Sequence, residues 1–97
     1  METLKFEWNT TKSQTNNKKH GVSFEEAKTA FFDEHAIQFY DPDHSEEEDR
    51  YILLGTSTSN NTLLVCHCFR ENETSIRIIS ARKADNDESQ AYWSNRL

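Results

Sequence analysis

Three stretches of about nine residues, Arg50–Thr58, Thr62–Arg70 and Thr74–Arg82, are each rich in aliphatic, β-branched and aromatic side chains. The links between them, Thr58-Ser59-Asn60-Asn61 and Glu71-Asn72-Glu73, are short and built from turn formers. Links that short turn each strand back along its predecessor, so this part of the chain is committed to an antiparallel meander. Such a sheet must bury a face, and the remaining residues have to supply the cover.

The best cover lies at Ser23-Phe24-Glu25-Glu26, which reads as a capping box, with Val22 placed to staple against Ala27. Phe24, Ala27 and Phe31 then recur at helical spacing and give an apolar stripe over about 23–33. Ala36–Tyr40 reads as a strand that Asp41-Pro42-Asp43-His44 breaks, with Ser45–Asp49 as a polar loop or short helical turn. Lys5–Trp8 alternates polar and aromatic residues, as a short half-buried strand does. Asn9 could cap a helix that Gly21 closes, with Lys18, Lys19 and His20 at the negative end of its dipole. Thr10 to His20 contains no apolar residue, however, so its pattern fits a weak helix or a loop. Asp85-x-x-Glu88 resembles a capped start for a short terminal helix carrying Ala91, Tyr92 and Trp93. The expected class is α+β: two N-terminal helices on a mostly antiparallel sheet of four or five strands, with a short C-terminal helix. At 97 residues the chain has material for one core, so residues 1–97 are expected to form a single domain.

Composition removes several function classes. Two Gly residues exclude a glycine-rich phosphate loop, and there is no G-x-S-x-G elbow for a serine hydrolase. No apolar run exceeds four residues, which is far short of a membrane span. The start, Met1 to Lys5, lacks the apolar region of a secretory signal, and a cytoplasmic location is expected. Net charge is −6, distributed as +2 over residues 1–20, −9 over 21–49 and +1 over 50–97. Any nucleic-acid surface must therefore come from the two ends of the chain.

Cys66-His67-Cys68 invites a metal reading, but strand alternation sends the imidazole and the sulfurs to opposite faces, and small buried cysteines are the better account. Asp41, Asp43, His44, Glu46 and Glu48 lack the spacing and central Gly of a calcium loop and read as a solvated acidic loop. No metal or cofactor is expected. The last hairpin is more informative. A three-residue turn sets His67 opposite Arg77 and leaves Arg70 and Arg82 together on the other face. A four-residue turn instead puts His67 with Arg82, and Arg70 with Arg77. Either register places an arginine near His67 and leaves open whether these cations hold a phosphate or satisfy the acidic residues 41–49.

Several literal strings, in order, resemble one family. Phe6-Glu7-Trp8-Asn9, Lys12, Asn16, Lys19–Ala27, Asp41-Pro42-Asp43-His44-Ser45-Glu46, Glu48, Arg50, Gly55, Val65-x-His67-x-x-Arg70 and Arg77–Ala84 are similar to the BrnT-like toxins of bacterial type II toxin–antitoxin systems. Asn9 stands where that family usually has Asp, an exchange of one helix cap for another. The resemblance implies a RelE-like fold with a real helix over Thr10–His20, and a ribonuclease that blocks translation by cutting RNA. It also implies a ribbon-helix-helix antitoxin (BrnA-like) that covers the toxin and represses the shared operon, so that DNA is met only through the antitoxin. On this reading the site is metal-independent: His67 is the candidate acid or base, and Arg70, Arg77 and Arg82 supply positive charge, with two of the three expected to share a face. Lys12, Lys18, Lys19 and His20 are the candidate RNA-binding residues. The acidic balance supports a second reading, a catalytically weak toxin fold whose residues 33–49 dock a basic antitoxin segment. A third, a metal-dependent hydrolase using residues 41–48, predicts sensitivity to EDTA.

Overall fold

A computed structural model describes residues 4–96. In chain order the elements are β1 (Lys5–Glu7), α1 (Thr10–His20), α2 (Phe24–Ala30), β2 (Ile37–Tyr40), a 3-10 turn (Pro42–His44), β3 (Tyr51–Thr56), β4 (Thr62–Arg70), β5 (Ser75–Lys83) and α3 (Asn86–Arg96). The sheet runs β1-β5-β4-β3-β2. Strands β3 to β5 form the expected three-stranded antiparallel meander, β2 adds to it antiparallel beside β3, and β1 joins the β5 edge in parallel, which makes the α+β sheet five-stranded and mixed. Among the described residues no helix is long and apolar enough to cross a membrane.

The core lies between α2 and one sheet face. Val22, Phe24, Ala27 and Ala30 cluster there with Leu53, Leu63, Val65, Ile78 and Ala81, while Phe6, Trp8 and Phe31 pack around the margin. Burying Phe24 alone contributes about 1.5–3 kcal/mol, so this stripe supplies the anchoring of α2. Gly55 lets the end of α2 come close: a Cβ there would meet the Ala30 carbonyl oxygen at 3.0 Å and the Ala36 Cβ at 3.1 Å.

Helix α1 is held by polar contacts. The Asn9 side chain accepts from the Lys12 amide at 3.0 Å, and Gly21 closes the helix in the left-handed region at φ 71. Asn16 is the residue of α1 that is buried. Its Nδ2 donates to the carbonyls of Val22 (2.9 Å) and Ala81 (2.8 Å), and its Oδ1 accepts from the Ala81 amide at 3.1 Å. Strand β1 pairs only with Ser75 to Arg77, so Asn16 takes over as the edge partner of β5 further along. One amide side chain thus replaces the missing apolar stripe.

The capping box expected at Ser23 is half formed. Ser23 Oγ accepts from the Glu26 amide at 3.0 Å, but the Glu26 carboxylate turns to Ser57 Oγ (2.6 Å) and Asn61 Nδ2 (2.8 Å), tying the β3–β4 turn to α2. The reciprocal box forms at α3 instead: Glu88 N–H donates to Asp85 Oδ1, and Asp85 N–H donates to Glu88 Oε1, both at 2.8 Å.

Asp33 joins α3 to the body of the protein. It accepts from the hydroxyl of fully buried Tyr92, the Thr56 amide at 2.8 Å and the His35 amide at 3.0 Å. Burial by itself raises the carboxyl pKa, but these hydrogen bonds, with Arg96 nearby, more than offset it and hold Asp33 below the usual carboxylate range. The resulting stabilisation is complete above the unfolded carboxyl value of about 3.9 and is lost as pH falls through the lower, folded value. Thermal melts are therefore expected to show Tm dropping below about pH 4, with a shallower drop for Asp33→Asn. Identical acid limbs for the two proteins would remove Asp33 as a cause.

Candidate active site

The sheet face turned away from α2 carries the charge. Strand pairing runs Arg70 with Ser75, Cys68 with Arg77 and His67 with Ile78, which corresponds to the four-residue turn. The register then shifts: Cys66 pairs with Ser80 and Leu64 with Arg82, leaving Ile79 as an extra, bulged residue. Arg77 and Arg82 are five apart and would point to opposite faces of a regular strand. The bulge reverses that parity. Their partners Cys68 and Leu64 lie four apart on β4, on the face that also carries Arg70. All three arginines therefore share one face, where two were expected to.

His67 does not join them. It is fully buried on the α2 side, with its ring edge-on to Phe31 (4.8 Å between centroids) and Phe69 (5.4 Å). Nδ1 donates to the Val65 carbonyl at 3.0 Å, and the Gln38 side-chain amide lies 2.8 Å from Nε2. Burial pushes its pKa down, against the opposing effect of the Val65 bond, so the ring is held neutral. Its neighbours Cys66 and Cys68 face the other way, and burial raises both thiols above their usual range, which does not suit a thiolate nucleophile.

An imidazole does reach the arginine face, from the loop read as merely acidic. Pro42 starts the 3-10 turn, the Asp41 amide donates to the Arg50 carbonyl at 2.9 Å, and Ser45 Oγ donates to the Asp41 carbonyl at 2.5 Å while accepting from the Arg50 amide at 3.0 Å. This closed loop sets His44 Nδ1 2.8 Å from Oδ2 of buried Asp41. A carboxylate on Nδ1 fixes the tautomer with Nε2 free to accept a proton, the arrangement that a general base requires. His44, Asp41 and Arg50 line a cavity of about 390 Å³ together with His20, Arg82 and the side chains of Ile52, Leu64 and Ile79. Sequence reasoning considered His44 only within a cation-binding reading of residues 41–48 and did not name Arg50 as a site residue. The signal was present, since the 41–46 string and Arg50 both belong to the family resemblance.

A smaller recess of about 130 Å³ adjoins it, lined by Lys12, Glu48, Arg50, Arg70 and Arg77 among others, so Arg50 belongs to both. Glu48 sits between two of the cations, with Oε2 3.3 Å from Arg70 and Oε1 3.6 Å from Arg50. Arg77 makes no ion pair among the described residues. Arg82 is gripped by Glu88 through two 2.8 Å bonds, and this fork holds the Glu88 carboxyl below the usual carboxylate range. Of the residues expected to meet RNA, Lys12, Lys19 and His20 line recesses on this side of α1, and Lys18 is exposed on its last turn. Among the described residues no three His, Cys, Asp or Glu side chains converge as metal ligands would.

Comparison with known proteins agrees with this architecture. The family described as the ribonuclease toxin, BrnT, of type II toxin–antitoxin systems matches residues 8–88. Among solved structures, the crystal structure of the Brucella abortus ribonuclease toxin BrnT resembles the fold with a TM-score of 0.65, at 24% identity, over 87% of this chain and 100% of that one. No curated protein matches in sequence. With the family's pattern running from the end of β1 into α3, this chain belongs to the BrnT family of type II toxin–antitoxin ribonuclease toxins.

Proposed function

We propose that the chain is a metal-independent endoribonuclease that blocks translation by cutting RNA and is neutralised by a ribbon-helix-helix antitoxin. Membership of a type II family implies a cognate antitoxin; its structural class, the RNA substrate and any contact with DNA through the antitoxin are part of this proposal. The observation that carries the reading is the gathering of Arg50, Arg70, Arg77 and Arg82 with the His44–Asp41 pair on one sheet face. In the reaction the substrate 2′-OH gives its proton to a base and its oxygen attacks the adjacent phosphorus. The P–O5′ bond breaks, the leaving oxygen takes up a proton, and a cyclic phosphate and a 5′-OH result.

His44 serves as the base, with Asp41 orienting it, and His20 on the same cavity is placed to return a proton. Arg70 and Arg77 meet the charge that develops on the phosphoryl oxygens, with Arg50 and Arg82 completing the positive field. Lys12, Lys18 and Lys19 extend that field along α1 toward the flanking phosphates. The catalytic role expected of His67 passes to His44 in this reading, and His67 is a packing residue beneath the sheet. Cleavage of end-labelled RNA in EDTA tests the proposal, with Arg82→Ala alongside to expose contaminating nuclease. Metal-free cleavage by wild type alone, leaving cyclic phosphate ends, is the expected result, and no cleavage of free or ribosome-bound RNA overturns it.

One observation favours the rival reading of an inactive, antitoxin-binding toxin fold: Glu48 already occupies Arg50 and Arg70. If RNA displaces Glu48, then Glu48→Gln is expected to tighten RNA binding, most visibly at low salt where exposed charges are least screened. If Glu48 instead forms part of an antitoxin-docking surface, the same substitution weakens antitoxin binding and leaves RNA affinity unchanged.

A further inference from the structure

The face that gathers the arginines also keeps an apolar floor open. Ile52, Leu64 and Ile79 are half-buried and line the 390 Å³ cavity, whose size falls within the range of small-molecule sites. Ile79 is there because of the bulge, which puts the extra residue of β5 on this side. Phosphate recognition has no use for aliphatic side chains, so the floor calls for a ligand with an apolar face.

The rim narrows the choice. The fork of Arg82 is taken end-on by Glu88 and a further N–H goes to the Lys83 carbonyl at 3.2 Å, so three of its N–H groups are occupied while its flat π-face is not committed by those bonds. The His20 imidazole is a second planar group on the same cavity, and exposed Ser80 adds a hydroxyl that can donate or accept. Aliphatic floor, stackable planes and a polar reader suit an unstacked nucleobase, which offers two flat faces and a hydrogen-bonding edge. Arg50, common to this cavity and to the Arg77 recess, puts the base-sized space next to the phosphate-sized one.

We infer that this cavity is a nucleobase subsite, which holds one base splayed from the RNA strand beside the scissile phosphate and gives cleavage a base preference. The inference rests on the ribonuclease reading for its biological sense, but base binding can be tested without turnover. The methyl resonances of Ile52, Leu64 and Ile79 are to be followed while wild-type protein is titrated with the four nucleoside 3′-monophosphates, and with ribose 5-phosphate as the ligand without a base. At least one nucleotide is expected to shift all three residues and to bind at least about tenfold tighter than ribose phosphate, in line with the worth of one stacked base. Ser80→Trp, at an exposed strand position whose larger side chain blocks the rim, is expected to abolish the difference while keeping ribose phosphate affinity.

Equal binding of all five ligands, or shifts that miss the three floor residues, overturns the subsite. So does perturbation of the floor by antitoxin with none by any of the nucleotides, which would make the cavity a protein-docking pocket. These outcomes separate from those of the cleavage assay. RNA cut in EDTA with no base effect on binding removes the subsite and leaves the ribonuclease. Selective nucleotide binding without any cleavage keeps the subsite and removes the ribonuclease.

Discussion

Asn16→Ala is expected to lower the unfolding free energy by roughly 3 kcal/mol, the largest loss for any single polar substitution in α1. The substitution leaves three backbone groups without their partner: the Val22 carbonyl and both the amide and carbonyl of Ala81. Each orphaned buried group costs about 1–3 kcal/mol, and the lower end applies where water can enter. Asn16 is 8% exposed and borders a recess, so partial rescue by water is built into the figure. For a domain of this size the change corresponds to a fall in Tm of about 12–24 °C. Asn16→Asp separates hydrogen bonding from side-chain volume. The introduced carboxylate can still accept from the Ala81 amide, but at neutral pH it faces two carbonyl oxygens to which it cannot donate. Its loss of stability should shrink as pH falls and the carboxyl protonates. Urea unfolding of the three proteins at pH 7 and pH 5 checks this, and a loss under about 1 kcal/mol for alanine would mean that Asn16 is dispensable.

That residue also marks where sequence reading stopped. The meander, α2 and the capped α3 were legible because each carries its own periodicity, cap or turn. Helix α1 was not, because what holds it is a side chain bonded to a carbonyl 65 residues away, and no local pattern records such a contact. Asn9 and Gly21 marked its two ends, and the family strings decided for a helix over a loop. The candidate site failed to resolve for a related reason. A single bulged residue, Ile79, decides whether Arg82 stands with Arg70 and Arg77 or against them, and a bulge does not show in the alternation of a strand. His67 stood out through its place between two cysteines, yet alternation had already put it on the face opposite those sulfurs, which proves to be the core side. His44 was hidden among carboxylates, whose local charge suggested solvent or a cation and not a base. The role proposed for it rests on the fold of 41–50, in which Ser45 ties both ends of the loop and Asp41 is buried against the ring.

His44→Ala is expected to reduce the rate of RNA cleavage by about 10²–10⁴-fold, the usual worth of a positioned acid or base. The imidazole is 66% exposed and carries little packing, so the loss of stability should be confined to the buried Asp41 carboxylate left without its partner, about 1–3 kcal/mol. Arg77→Ala should cost about 10²–10³-fold in the same assay, near 2.7–4 kcal/mol, because a cation with no carboxylate partner among the described residues is free to stabilise the phosphoryl oxygens. The two losses should not sum when combined, since both act in one transition state. His67→Gln is the contrasting variant: it keeps a side-chain amide in the core, loses the ring contacts with Phe31 and Phe69, and should lower stability far more than the cleavage rate of the folded fraction. Asp41→Asn tests the orientation of His44. An amide in place of the carboxylate keeps the shape of the side chain but no longer favours the tautomer with a free Nε2, so the rate should fall while RNA affinity stays. Single-turnover cleavage paired with binding by the same variants reads these effects apart. Full activity in His44→Ala, together with loss of activity in folded His67→Gln, would move the chemistry to the other face of the sheet and overturn the assignment.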